Sequence, residues 1–209
     1  MLQLLEPPSG QQHDCERPFD IDPKTVIAAA SGDASASLRI VESFRMPIFR
    51  ILFRMVGGRY REELDDCVQD LFLKIFRNLE HFEPTRGARF STWIYTFVKN
   101  YAIDLLKRPR RSCLSLDDAE RPIWDPPSSD STPQHVLLDR ELSDHIAEAI
   151  ALLSDEQRLV FVLREYEGLD YETIADVLGI AVGTVRSRLY RAKEILRRRL
   201  QPYLRVEPI

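Results

Sequence analysis

Arg186, Arg188, Arg191, Lys193, Arg197, Arg198 and Arg199 crowd into one short stretch near the C-terminus, the densest reactive chemistry in the chain. Charge at this density suits polyphosphate, and arginine adds a planar fork that can read guanine edges. Spacing sharpens the point. Projected at about 100° per residue, Val185, Leu189, Ala192 and Leu196 fall in one narrow arc. Gly183, Ser187, Tyr190, Arg191 and Glu194 fall opposite, with Thr184 and Arg186 on the flanks. Nothing comparable points to catalysis. The chain has no G-x-x-x-x-G-K-[ST], H-E-x-x-H or G-x-S-x-G motif, and His13, His81, His135 and His145 are scattered. Cys15, Cys67 and Cys113 are odd in number and lack C-x-x-C spacing, so free thiols are expected rather than a disulfide framework or zinc site. The expectation is a binding protein with no catalytic residue, metal or cofactor.

The elements that must carry those arginines are legible from their ends. Asp170 can cap a helix over Tyr171 to Leu178, and Gly179 can stop it in a left-handed conformation. A small residue, Ala175, where two helices cross, the glycine four residues later and Val185 six beyond that predict a helix-turn-helix with its second helix made for a major groove. A helical hairpin in an ordinary bundle would leave the arginines unexplained. Upstream, Ser154-Asp155-Glu156-Gln157 is a capping box for a helix carrying Leu159, Val160, Val162 and Leu163, and another helix is expected from roughly Gln134 to Leu152. Residues 134–209 thus form one small all-helical domain.

Residues 23–111 read as a second helical domain. A short helix around Lys24 to Ala30 is followed by a break at Ser31-Gly32-Asp33. A longer one runs from about Ala34 to Val56, where Pro47 should kink or split it and Gly57-Gly58 should end it. The helix Glu62 to Leu79 carries a core stripe of Leu64, Val68, Leu71, Phe72, Ile75 and Leu79. Its acidic start (Glu62, Glu63, Asp65, Asp66 and Asp70) either serves the helix dipole or docks a basic surface. From Phe90 to Arg108, Phe90, Ile94, Val98, Tyr101 and Leu105 face a core, while Trp93, Thr96, Lys99, Asn100, Ile103 and Lys107 face away. Trp93 either stacks on unpaired bases or packs on a neighbouring helix. The run Lys107-Arg108-Pro109-Arg110-Arg111 follows, placed for a DNA backbone.

The chain has 209 residues and 44% hydrophobic content, enough for real cores, and its net charge of −4 hides a segregation. From Val182 onward there are eight basic residues against two acidic, and from Lys99 to Arg111 five against one, whereas Ser112 to Asp139 holds six acidic and one basic. Two small basic patches predict weak DNA binding alone and a larger partner to hold the chain there. Proline, glutamine and isolated charges mark residues 1–22 as a flexible tail, and Pro122, Pro126, Pro127, Pro133 and a serine run mark 112–133 as an acidic linker. No apolar run approaches the roughly 20 residues of a membrane span, and no secretory signal opens the chain, so a cytoplasmic protein without membrane insertion is expected.

Taken together, these stretches resemble a bacterial sigma factor of the extracytoplasmic-function (ECF) type, from about Asp33 to Leu200. The run Glu63-Leu64-Asp65-Asp66-Cys67-Val68-Gln69-Asp70-Leu71-Phe72-Leu73 is similar to the region that docks on the clamp helices of RNA polymerase's largest subunit. Phe90 to Leu106 is similar to the element that opens the promoter at minus ten. Leu163-Arg164-Glu165 and Gly183 to Ala192 are similar to the minus-35 reader. The resemblance implies an all-α fold of two domains and a transcription initiation factor. It implies polymerase contacts at Asp65, Asp66, Gln69 and Asp70, and minus-ten contacts at Trp93, Thr96, Lys99, Asn100, Lys107 and Arg108. It implies minus-35 contacts at Arg164, Gly183, Thr184, Arg186, Ser187, Arg188, Tyr190 and Arg191. Its partners would be the clamp helices and flap of core polymerase, promoter DNA and an anti-sigma factor. Ala181 departs from the family, which often has proline or serine before the recognition helix. The alternative is an autonomous helix-turn-helix regulator, which would usually dimerise; the chain shows no dimerisation heptad.

Overall fold

The computed structural model describes residues 21–60, 62–83, 89–108 and 145–203, without the side chains of residues 58 and 59. Every regular element among the described residues is helical: α1 (Pro23–Ala30), α2 (Ala34–Tyr60), α3 (Leu64–Arg77), a single 3-10 turn (Leu79–His81), α4 (Phe90–Lys107), α5 (145–151), α6 (Asp155–Glu165), α7 (Tyr171–Leu178) and α8 (Val182–Leu200). This is the all-α class expected. The N-terminal tail up to residue 20, the linker 112–133, the first part of the helix expected from Gln134, and Arg110 and Arg111 lie outside the described residues.

Among α1 to α4, α2 is the spine, touching the other three. Asp22 caps α1 by accepting from the Lys24 amide at 3.0 Å, and Arg39 Nη2 donates to Thr25 Oγ1 at 2.7 Å to fix α1 on α2. The split at Pro47 and the stop at Gly57-Gly58 expected in α2 are absent. The helix continues through Pro47 and past Gly57 to Tyr60. Ile40, Phe44, Ile48, Ile51, Leu52, Met55 and Val56 are all buried, on both sides of the proline. Burying each is worth about 1.5–3 kcal/mol, which together outweighs about 3 kcal/mol for one interior proline and about 1 kcal/mol for a glycine. Gly57 serves contact rather than termination: a Cβ there would lie 3.1 Å from the Phe53 ring. Tyr60 Oη donates to Leu105 O at 3.2 Å, tying the end of α2 to α4. The α3 stripe Leu64, Val68, Leu71, Phe72 and Ile75 is buried as expected, joined by Cys67; α3 itself ends at Arg77, and buried Leu79 opens the 3-10 turn.

The ends of α6 and α7 follow their local signals. Ser154 Oγ accepts from the Gln157 amide and Gln157 Oε1 from the Ser154 amide, both at 3.3 Å, completing the capping box. Asp170 Oδ1 accepts from the Thr173 amide at 2.7 Å, and that bond holds its carboxyl below the ordinary range. Gly179 (φ 67°) ends α7 left-handed, and the Ile180 amide reaches back to Ala175 O at 3.1 Å. Arg158 gathers the carbonyls that α5 leaves open: Nε donates to Ile150 O (3.2 Å), Nη2 to Ala151 O (2.6 Å) and Leu153 O (3.0 Å).

The two groups of helices meet, α2 on α6 and α4 on α7. Arg158 Nη1 also donates to Met55 O on α2 at 2.9 Å. Arg50 Nε and Nη2 make a bidentate pair with Glu167 Oε1 and Oε2, each at 3.1 Å, and Tyr95 hydrogen-bonds the same carboxylate. The Arg54 guanidinium lies 3.4 Å from the centre of the Tyr166 ring.

Candidate nucleic-acid interface

α8 begins at Val182 behind Ala181, whose side chain makes no capping bond; the Ala181 carbonyl instead accepts from the amides of Thr184 (2.8 Å) and Val185 (3.2 Å). Val185, Leu189, Ala192 and Leu196 are buried against α6 and α7, as the projection predicts. Burying that seam leaves Gly183, Arg186, Ser187, Tyr190 and Arg191 exposed and Thr184 half-buried. Tyr190 is 72% exposed, a large ring left uncovered among the described residues. A Cβ on Gly183 would meet nothing within 4 Å, so this glycine leaves room for something outside the chain. Ser187 Oγ donates to Thr184 O at 3.0 Å.

The basic cluster divides into two sets. Arg188 Nη2 pairs with Glu156 Oε2 at 2.6 Å and Lys193 Nζ with Glu165 Oε1 at 3.0 Å, clamping α8 to α6. Arg188 is half-buried and ion-paired, unlike the exposed Arg186 and Arg191. Arg197 and Arg198 share Glu194, at 2.8 and 2.9 Å. Arg186 and Arg191 carry no ion pair among the described residues. Arg164 donates from Nη1 to Leu169 O at 2.8 Å and lies 4.9 Å over the Tyr171 ring, with Arg186 at 5.8 Å from the same ring. One tyrosine at the start of α7 thus gathers two guanidinium groups at the mouth of α8, a corner suited to a phosphate.

On α4, Phe90, Ile94, Val98, Tyr101 and Leu105 are buried as expected, and so are Ser91, Tyr95 and Ala102. Both α2 and α7 pack on α4, and Tyr95 meets Phe44 of α2 edge-on at 6.4 Å between ring centres. Trp93 is half-buried in an aromatic nest: Phe97 at 4.5 Å, Phe82 at 5.6 Å and Phe90 at 5.7 Å between ring centres. These rings belong to α4 itself and to the segment before it, and Trp93 keeps part of its surface open. Thr96 donates to Thr92 O at 3.0 Å and is half-buried like Lys99, whereas Asn100, Lys107 and Arg108 are exposed.

Asp65, Asp66, Gln69 and Asp70 form one exposed face of α3. Leu73, 54% exposed, extends it by a turn and was not singled out from the sequence; its absence from the core stripe was the available signal. Arg45 approaches Asp65 at 3.7 Å, but both are open to water, where such a pair is worth little. Burial pushes the Cys67 thiol up, which marks it as a core group.

Residues 40–112 match the family described as Sigma-70 region 2, and residues 143–196 match Sigma-70, region 4. The ECF RNA polymerase sigma-E factor of Haemophilus influenzae is 33% identical over 189 residues, covering 88% of this chain and 97% of that one. The chain belongs to the ECF sigma factors. As such it is an RNA polymerase sigma factor that directs transcription from promoters. Two solved structures share the sigma fold. The structure titled CnrH in complex with the cytosolic domain of CnrY has a TM-score of 0.63 at 23% identity, covering 86% of this chain and 96% of that one. The sigma factor RpoE of Bartonella quintana, solved with the anti-sigma factor NepR, has a TM-score of 0.58 at 22% identity, covering 78% and 96%. No helix among the described residues is long and apolar enough to cross a membrane.

Proposed function

We propose that this sigma factor reads the minus-35 element with α8 and the minus-ten element with α4, while α3 docks on core polymerase. The observation that carries the proposal is the exposed polar face of α8, held outward by a fully buried seam. Arg186, Ser187, Tyr190 and Arg191 reach base edges, where arginine on guanine is the commonest specific contact. Gly183 and Thr184 let the start of α8 approach the backbone, and Arg164 beside Arg186 holds a phosphate. Arg188 holds the angle of α8 through Glu156. Asn100, Lys107 and Arg108, with Thr96, Lys99 and Trp93, line the path of the separated strand. Unstacking a base costs a few kcal/mol, which pocket contacts offset. Asp65, Asp66, Gln69 and Asp70, with Leu73, meet a basic and partly apolar surface on the clamp helices, and a second contact at the flap holds the recognition domain. The protein works in the cytoplasm without catalysis of its own. Its regulator is an anti-sigma factor that competes for these faces.

Run-off transcription with purified core polymerase and a genomic promoter library tests the assignment. Asp66→Arg with Asp70→Arg should abolish core binding, and Arg186→Ala should change which promoters start. A dimer that grips a palindrome without polymerase, with no promoter-directed start in the presence of core, would refute it.

A further inference from the structure

We infer that Tyr171, at the start of α7, is a positioning residue for promoter reading: its ring face holds the Arg186 guanidinium in the pose that reads a base, and so sets how sharply one base pair of the minus-35 element is discriminated. This rests on the function proposed above and names a residue outside the reading set. Tyr171 sits on the helix before the recognition helix and is half-buried. Ile174, Ala175 and Val177 bury the inner face of α7, and Tyr171 is only partly packed against that core.

Three helices meet at the ring. Arg164 comes from the end of α6, its guanidinium carbon 4.9 Å from the ring centre, and Arg186 from early in α8, at 5.8 Å. The two arginines differ in what else holds them. Arg164 is already fixed, because its Nη1 donates to Leu169 O at 2.8 Å. Arg186 is exposed, and among the described residues it has no hydrogen bond or ion pair, so the Tyr171 ring is what restrains its end. An exposed arginine samples many rotamers, few of which aim its planar fork at a base edge, and freezing it on DNA costs entropy. An aromatic face within about 6 Å attracts the guanidinium and thins that population beforehand. Restraint of this kind acts on discrimination. A fork held at one angle pairs bidentately with guanine, whereas a free one adapts to whichever base it meets. The tyrosine itself is a stiff mount, with two side-chain torsions. Because Arg164 shares the ring, the phosphate it is placed to hold and the base that Arg186 reads are registered on one plane.

The test uses holoenzyme made from core polymerase and the full chain, on a promoter library randomised through the minus-35 element, with run-off products sequenced to give a base preference at each position. Arg186→Ala identifies the position it reads by losing at least about fivefold in preference there. Tyr171→Leu keeps apolar bulk without a ring face; it should narrow the preference at that same position by about two- to fivefold and leave the other positions as in wild type. Tyr171→Phe should keep the preference. Three fluorines on that phenylalanine, which drain negative charge from the ring face with little change of shape, should narrow it again, and this pair decides the matter if leucine disturbs folding. In an Arg186→Ala chain, Tyr171→Leu should change nothing further at that position, since the ring acts through the arginine. An unchanged preference in the fluorinated chain overturns the positioning role. So does equal narrowing in Tyr171→Phe, which would assign the effect to the hydroxyl, or narrowing that survives in Arg186→Ala, which would put the ring itself on the base. If Arg186→Ala relaxes no position, the base reading falls and the positioning role falls with it; if Arg186→Ala relaxes one and the Tyr171 variants do not, the positioning role alone falls.

Discussion

Arg158→Met should destabilise the C-terminal helices far more than a typical exposed arginine change. Its side chain, 12% exposed, donates to four backbone carbonyls. The bond to Ala151 O faces solvent and counts for little, since water replaces it. Those to Ile150 O and Leu153 O are part-buried and close the open end of α5, and each should be worth about 1 kcal/mol net. Burial of the guanidinium, which lowers its pKa, subtracts from that total, and Met keeps the packing of the stem. A loss of about 1–1.5 kcal/mol remains, or roughly 4–12 °C in the melting of a unit this small. The Met55 O bond crosses to α2 and adds only to the contact between the two groups. The assay is urea and thermal unfolding of the full chain followed by circular dichroism, with Arg158→Lys in parallel. Lysine keeps the charge but loses the fork, so it should recover less than half. A loss below about 0.5 kcal/mol for Arg158→Met, or full recovery with lysine, would refute the capping argument.

Gly179→Ala should cost about 1–2 kcal/mol by unfolding, because only backbone strain at φ 67° opposes it, whereas Gly183→Ala, in helical backbone with open space around it, should raise stability by up to about 1 kcal/mol yet weaken promoter binding. Arg186→Ala should lose about 1–3 kcal/mol at one base position in a binding selection; equal weakening on every sequence would contradict base reading.

What could be read from the sequence was what is settled locally. Asp170, Gly179 and the Ser154–Gln157 box act within a turn of themselves, so the helix-turn-helix appeared with its limits and its buried seam intact. Pro47 and Gly57 misled because their penalties are local, while the burial that overrides them comes from α1, α3 and α4, remote in sequence. Nothing in a helical projection reveals that Glu156 stands opposite Arg188. Glu167 and Arg50, 117 residues apart, look like ordinary surface charges until the chain is folded. The same distance hid the second buried strip of α4, with Tyr95 in it.

Glu156 and Glu165 hold Arg188 and Lys193 on α8, while Arg197 and Arg198 meet Glu194 only in exposed pairs that are worth little. Each phosphate neutralised contributes a salt slope of about −0.9, so a handful of arginines gives shallow, millimolar-style adhesion. Tethered to a polymerase already on the duplex, such a grip meets its site at an effective concentration in the millimolar range, enough to fill it.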